Sequence, residues 1–161
     1  MTVKEFNIAV DEFSDNIFRF SMKHLRNEMS AKDIVQETFM KVWAKHDEIN
    51  VEKVKSYLFT TAYNAIMDFV KKEKRSYEMP AEDKQARTQP ETNFDLQEIL
   101  NEALNQLPEI QKTLVLLRDY EGYSYEEIGE ICKLKESQVK VYIFRARQAL
   151  KTYLKSVELI V

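Results

Sequence analysis

Apolar side chains recur three and four positions apart along most of this chain. Phe6, Val10, Phe13, Ile17 and Phe20 form one stripe, the signature of an amphipathic helix. Ile34, Val35, Phe39, Val42 and Trp43 continue the pattern, and Ser30-Ala31-Lys32-Asp33 before them resembles a capped helix start. The most regular segment is the third: Val54, Tyr57, Leu58, Thr61, Ala62, Ala65, Ile66 and Phe69, running out into Lys71-Lys72-Glu73-Lys74-Arg75. Between Ser76 and Asn93 the stripe vanishes among Pro80, Pro90 and polar residues. Such a stretch buries too little apolar surface to order itself and reads as a linker. The period resumes at Phe94 with Leu96, Ile99, Leu100, Ala103, Leu104 and Leu107. Pro108 opens a helix through Ile110, Leu114 and Leu117 to Tyr120, where Gly122 is placed to stop it. Ser124 and Glu127 form a capping box for a short helix. Val139, Ile143, Ala146 and Leu150 then form the inner side of a last one. The expectation is an all-α chain of two small helical domains, 1–76 and 94–161, joined by a flexible linker over 77–93.

Composition sharpens this. Only two of the 161 residues are glycine, where average usage predicts about eleven. No phosphate-cradling loop or dinucleotide fingerprint can be written with Gly122 and Gly129. The single Cys132 and the pair His24 and His46 provide no zinc-binding spacing. Cys132 falls at the end of an apolar stripe and suits a small core residue in a reducing compartment. No nucleophile–base pair stands out, so neither an enzyme nor a cofactor is expected. No stretch reaches the roughly 20 apolar residues of a membrane span, and the N-terminus lacks a signal peptide's apolar run, so a cytoplasmic location is expected.

Charge divides the C-terminal part. Residues 94–130 carry nine acids and two bases, whereas 133–155 carry Lys133, Lys135, Lys140, Arg145, Arg147, Lys151 and Lys155 against Glu136 alone. Two short amphipathic helices, the second basic, suit a helix-turn-helix whose second helix enters a duplex groove. An αα-hairpin with a solvated basic face explains the apolar spacing but leaves the clustering of cations unexplained. The net charge of −3 implies weak DNA binding by the chain alone, because affinity follows the number of phosphates neutralised. A larger partner is expected to supply much of the grip.

Two further constellations are open to more than one reading. Asp33, Gln36, Glu37 and Lys41 share a flank at helical spacing, while Phe39 and Trp43 lie four apart. Composition alone favours core aromatics beside a wet face; a protein-docking surface with aromatic anchors is the alternative. Asn64, Asp68, Lys71, Lys72 and Arg75 line one side of the third helix, with Tyr57 and Tyr63 nearby. Aromatics beside cations can stack unpaired bases, although a basic helix end also suits the helix dipole.

Taken together and in this order, the three constellations resemble the extracytoplasmic-function (group IV) sigma factors of bacterial RNA polymerase. Asp33-Ile34-Val35-Gln36-Glu37-Thr38-Phe39 is similar to the region 2.2 signature, and Ser56-Tyr57-Leu58-Phe59 through Asn64, Asp68 and the basic run to regions 2.3 and 2.4. Leu107-Pro108, Glu121 to Ile128, Val139-Lys140 and Arg145-Ala146-Arg147 resemble region 4. The resemblance implies a factor that binds core RNA polymerase and directs promoter-specific initiation. It implies that Asp33, Gln36, Glu37, Phe39 and Trp43 dock on the clamp helices of the largest subunit, with the flap of the second subunit as a further contact. Tyr57, Asn64, Asp68, Lys71, Lys72 and Arg75 would melt and read the minus-ten element. Lys135, Ser137, Lys140, Val141, Phe144, Arg145 and Arg147 would face the minus-thirty-five element of promoter DNA. A partner anti-sigma factor, often membrane-bound in the family, is expected as well.

The chain departs from the family in places. Lys133 stands where glycine is frequent in the turn, and Lys135-Glu136-Ser137 where a hydroxyl often caps the recognition helix. The frequent Val-Lys-Ser-Arg run is Val139-Lys140-Val141-Tyr142 here, so a distinctive promoter sequence is expected. The rival reading is a stand-alone helix-turn-helix regulator that binds duplex operators as a dimer. The near-neutral halves and the lack of a dimerising heptad argue against it.

Overall fold

A computed structural model describes residues 1–77 and 96–157; the expected linker beyond Tyr77, Phe94, Asp95 and the last four residues lie outside the described residues. The described residues form helices in the order α1 (Val3–Leu25), α2 (Glu28–Ala44), two short 3-10 turns, α3 (Val54–Tyr77), α4 (Leu96–Asn105), α5 (Glu109–Val115), α6 (Tyr125–Cys132) and α7 (Glu136–Ser156). α5 runs on into a π-helical turn, Leu116–Tyr120.

Local chemistry sets the ends. Thr2 and Glu5 make a reciprocal capping box at α1, which closes on Arg26 in the left-handed conformation at φ 52°. Asn27 then caps α2 by accepting from the Ser30 N–H at 2.9 Å. The helix therefore starts three residues before the expected cap, and Ser30 lies in its first turn. With only Arg26 and Asn27 between them, α1 and α2 pack side by side, and α3 lies against both. Ile17, Phe20, Leu58, Phe59, Ala62 and Ile66 are the buried centre of this group.

In the C-terminal group Leu114, Leu116, Leu117, Ile128, Ile131, Val139, Ile143 and Ala146 are buried. The expected Ser124–Glu127 capping box starts α6. The turn into α7 is tight: the Leu134 N–H bonds the Gly129 carbonyl at 2.9 Å, and a Cβ on Gly129 would sit 2.7 Å from the Leu134 carbonyl oxygen. Glycine is needed at 129 for this close approach. Lys133 takes the left-handed turn position at φ 57°, the conformation glycine adopts most cheaply. At α7 the N-cap is Lys135, whose side chain has nothing to accept with. The cap comes from the other direction, the Lys135 N–H donating to Gln138 Oε1 at 3.0 Å.

The two groups are not held apart. Their cores join where Phe59 meets Tyr123 edge to face, ring centroids 5.3 Å apart, with Lys55 Nζ 4.6 Å from the same tyrosine ring. His24, buried at the end of α1, hydrogen-bonds Glu109 at 3.2 Å and Thr113 at 3.0 Å. Lys112 is buried beside them and donates to the His24 carbonyl at 3.0 Å and to Asn105 Oδ1 at 2.8 Å. Around the rim, Arg19 pairs with Glu121 at 3.3 Å and Arg26 with Glu102 at 3.5 Å.

Candidate polymerase and nucleic-acid interfaces

Each constellation read from the sequence falls on one helix. On α2 the outward positions run Met29, Asp33, Gln36, Met40 and Trp43, all exposed. The steps of three and four make them a single stripe. Phe39 is turned the other way: it is only 9% exposed and packs on Phe6 at 6.2 Å. Its neighbour Met40 is 65% exposed, a position that the apolar stripe of the sequence does not include. Met29 and Met40 are, with Trp43, the apolar members of this stripe. Trp43 is both packed and open. Its ring lies between Phe6, at 4.9 Å, and His46, stacked at 4.1 Å, yet it is exposed at one side. Glu37 sits off the stripe, paired with Lys41 at 2.8 Å.

On α3 the positions Tyr57, Asn64, Asp68, Lys71 and Arg75 again form one stripe at steps of seven, four, three and four, and Lys72 lies beside it. Tyr57 is half-buried against the core, and the others are exposed. The stripe extends about 27 Å along the helix at 1.5 Å per residue. By the same helical period it lies roughly opposite Phe59, the residue that meets the C-terminal group.

On α7 the exposed positions include Ser137, Lys140, Val141, Phe144, Arg145, Arg147 and Lys151. Val139, Ile143 and Ala146 form the buried side. Arg147 is held: its guanidinium grips Asp119 with two bonds, of 2.7 and 3.4 Å. Donating these hydrogen bonds to Asp119 raises the pKa of the guanidinium. Lys140 has a looser tie to Glu136 at 3.5 Å. Of the two residues that depart from the family's run, Val141 faces out, whereas Tyr142 is half-buried against the core.

The buried polar cluster between the groups has its own electrostatics. Burial pushes the His24 pKa below the usual histidine value, with the Glu109 hydrogen bond pulling the other way. The same hydrogen bond holds the Glu109 carboxyl below the usual glutamate range. Both ring nitrogens of His24 are thus partnered, Nδ1 with the Glu109 carboxylate and Nε2 with the Thr113 hydroxyl, which also donates to the Glu109 carbonyl at 2.9 Å. Burial also raises the pKa of Glu121, against the attraction of Arg19. Cys132 is buried, its thiol pushed up to about 12 by desolvation, and it offers no nucleophile near neutral pH. Among the described residues no three His, Cys, Asp or Glu side chains are grouped to hold a metal ion. No helix among them is long and apolar enough to cross a membrane.

A mainly apolar groove lies between α4, the π-helical turn and α7, lined by Leu100, Leu104, Val115, Tyr120, Leu150 and Leu154 together with the acid Asp119. Its lining was readable as apolar stripes, but that these stripes leave a cleft depends on how three helices meet.

Comparisons with known proteins match both groups of helices. Residues 9–76 match the family Sigma-70 region 2, and residues 97–150 match Sigma-70, region 4. The chain is similar to the ECF RNA polymerase sigma factor EcfG of Rhodopseudomonas palustris, 30% identical over 84% of this chain and 77% of the relative. It is 28% identical to the ECF RNA polymerase sigma factor SigM of Bacillus subtilis, over 89% of this chain and 94% of that protein. Among solved structures, the sigma factor RpoE in complex with the anti-sigma factor NepR from Bartonella quintana superposes with a TM-score of 0.78. It is 29% identical, over 95% of this chain and 98% of that one.

Proposed function

Because this chain belongs to the sigma-70 family, in its extracytoplasmic-function group, and is an alternative sigma factor for transcription initiation, we propose the following division of labour among its helices. Residues 1–76 act as the region 2 domain and 94–161 as the region 4 domain. The α2 stripe of Met29, Asp33, Gln36, Met40 and Trp43 docks on the clamp helices of core RNA polymerase. The apolar groove of Leu100, Leu104, Leu150 and Leu154 receives the flap of the second subunit. The α3 stripe melts and reads the minus-ten element, Tyr57 stacking on an unpaired base while Lys71, Lys72 and Arg75 hold the backbone. Ser137, Lys140, Val141, Phe144 and Arg145 of α7 face the minus-thirty-five duplex. The factor performs no bond chemistry of its own. An anti-sigma factor, the partner of the Bartonella protein, is a partner of this chain too.

The observation that carries this reading is the coexistence of three outward stripes, on α2 and α3 within the segment matched to region 2 and on α7 within the segment matched to region 4. Their spacing adds a requirement. Elements about 25 base pairs apart are separated by roughly 85 Å at 3.4 Å per step. In the packed arrangement α6 lies on α3 and α7 on α6. With neighbouring helix axes 8–10 Å apart, the axes of α3 and α7 lie only about 20 Å apart where α6 bridges them. The two groups therefore part when both elements are bound, breaking the His24, Tyr123 and Lys112 contacts.

Co-elution of the purified chain with core RNA polymerase tests the reading. Stoichiometric binding, lost in Gln36→Ala or Met40→Ser with the helical circular dichroism unchanged, is the expected result. A folded chain that fails to bind core polymerase would overturn it.

A further inference from the structure

We infer that Val141 and Phe144 read thymine: the pair packs against the C5-methyl groups of neighbouring base pairs in the minus-thirty-five major groove. This rests on α7 being the helix that enters the duplex.

Val141 is 46% exposed and Phe144 64%, on a helix whose other exposed positions over this stretch are polar or charged. Lys140 precedes the first and Arg145 follows the second, so both apolar groups lie within a cationic face. An unpaired apolar side chain gains about 25 cal/mol for each Å² it removes from water, so a partner surface with an apolar element is favoured here. The charge around it selects a polyanion over an acid-poor protein surface. Val141 has neither donor nor acceptor, and it stands where the family frequently has a serine. It cannot read a base edge by hydrogen bonding. Among the features that the four base pairs expose in the major groove, the thymine methyl is the only apolar one. The spacing fits as well. Residues three apart rise about 4.5 Å along a helix, close to the roughly 3.4 Å between successive base pairs. Tyr142, the other departure, is packed inward and is not part of the reading.

The test uses holoenzyme assembled from core polymerase and the full chain. A duplex pool randomised over the minus-thirty-five segment is selected for binding, and the winning duplex is resynthesised with deoxyuridine for thymine, which removes only the methyl group. Wild type is expected to select thymine at two adjoining or next-but-one positions and to lose about three- to five-fold in affinity for each methyl removed. Val141→Ser and Phe144→Ser are expected to lose the preference at one position each and to bind uridine and thymine duplexes equally well there. Binding that depends on Arg145 but is indifferent to the methyl groups would overturn the inference and assign the apolar pair to a protein partner. Selection indifferent to Arg145→Ala would overturn the placement of α7 in the duplex itself, and the proposed division of labour with it.

Discussion

His24 and Glu109 meet through a 3.2 Å hydrogen bond although 85 positions separate them in sequence. One ends α1 and the other begins α5, so this bond ties the two matched regions together from inside the protein. Both partners make the tie sensitive to acid. The folded state holds His24 neutral with a lowered pKa, so unfolded chains take up the extra proton as pH falls below the ordinary histidine value of about 6.5. Glu109, also lowered, contributes stability that is present above about pH 4.3 and is lost as pH falls further. Urea denaturation is expected to show stability falling steadily from pH 7.5 to 5.0. His24→Gln is expected to be less stable at pH 7.5 but to have a flatter dependence above pH 5.5. An unchanged slope there would exclude His24 as its source.

Phe39 and Met40 are adjacent in sequence and opposite in role. Phe39→Ala is expected to destabilise the fold by about 3–5 kcal/mol, the cost of emptying a buried aromatic site. Met40→Ser is expected to change stability by less than about 0.5 kcal/mol, as for a surface position, while abolishing core polymerase binding. Thermal unfolding and co-elution separate the two effects.

The turn of the helix-turn-helix supports a pair of opposite predictions. Gly129→Ala forces a methyl against the Leu134 carbonyl oxygen at 2.7 Å, and a loss of about 1–3 kcal/mol is expected, as for overpacking. Lys133→Gly relieves the left-handed backbone at φ 57° and is expected to gain up to about 1 kcal/mol. Equilibrium denaturation measures both, and equal signs would refute this account of the turn.

Arg145 and Arg147 look alike in sequence, yet only the second is gripped by an acid, Asp119, at 2.7 Å. Arg145→Ala is expected to lower promoter affinity without changing stability. Arg147→Ala is expected to cost no more than about 1 kcal/mol of stability, as this pair is exposed, and Asp119→Ala to cost about the same. A double-mutant cycle with non-zero coupling would confirm that Arg147 acts through Asp119.

Most of the helices were legible because they are built from local rules. The stripe of Phe13, Ile17 and Phe20, the Ser124–Glu127 box and the inner side of α7 each depend on residues within two turns. Phe39 and Met40 show where such rules stop. A shift of one position rotates a side chain by 100°, and both residues are apolar, so the pattern around them does not say which one faces out. The start of α2 moved for a related reason: Asn27 and Ser30 are both good caps, and the left-handed Arg26 before Asn27 decides between them. The Lys135 cap was unreadable because its acceptor belongs to Gln138. Least legible of all was the contact between the two groups. His24, Lys112 and Tyr123 come together from distant segments, and nothing near each of them in sequence signals the others.

The packing of Phe59 on Tyr123 and of His24 on Glu109 also sets a threshold on regulation. If the parted arrangement is populated once in a hundred molecules, polymerase binds about a hundred-fold more weakly than its contacts alone allow, equivalent to about 2.7 kcal/mol. Any protein that prefers the packed arrangement multiplies that factor without covering a single reading residue, because only its differential affinity matters. Substitutions that loosen the contact, such as Tyr123→Ala, would act as gain-of-function changes, raising promoter output while lowering the melting temperature.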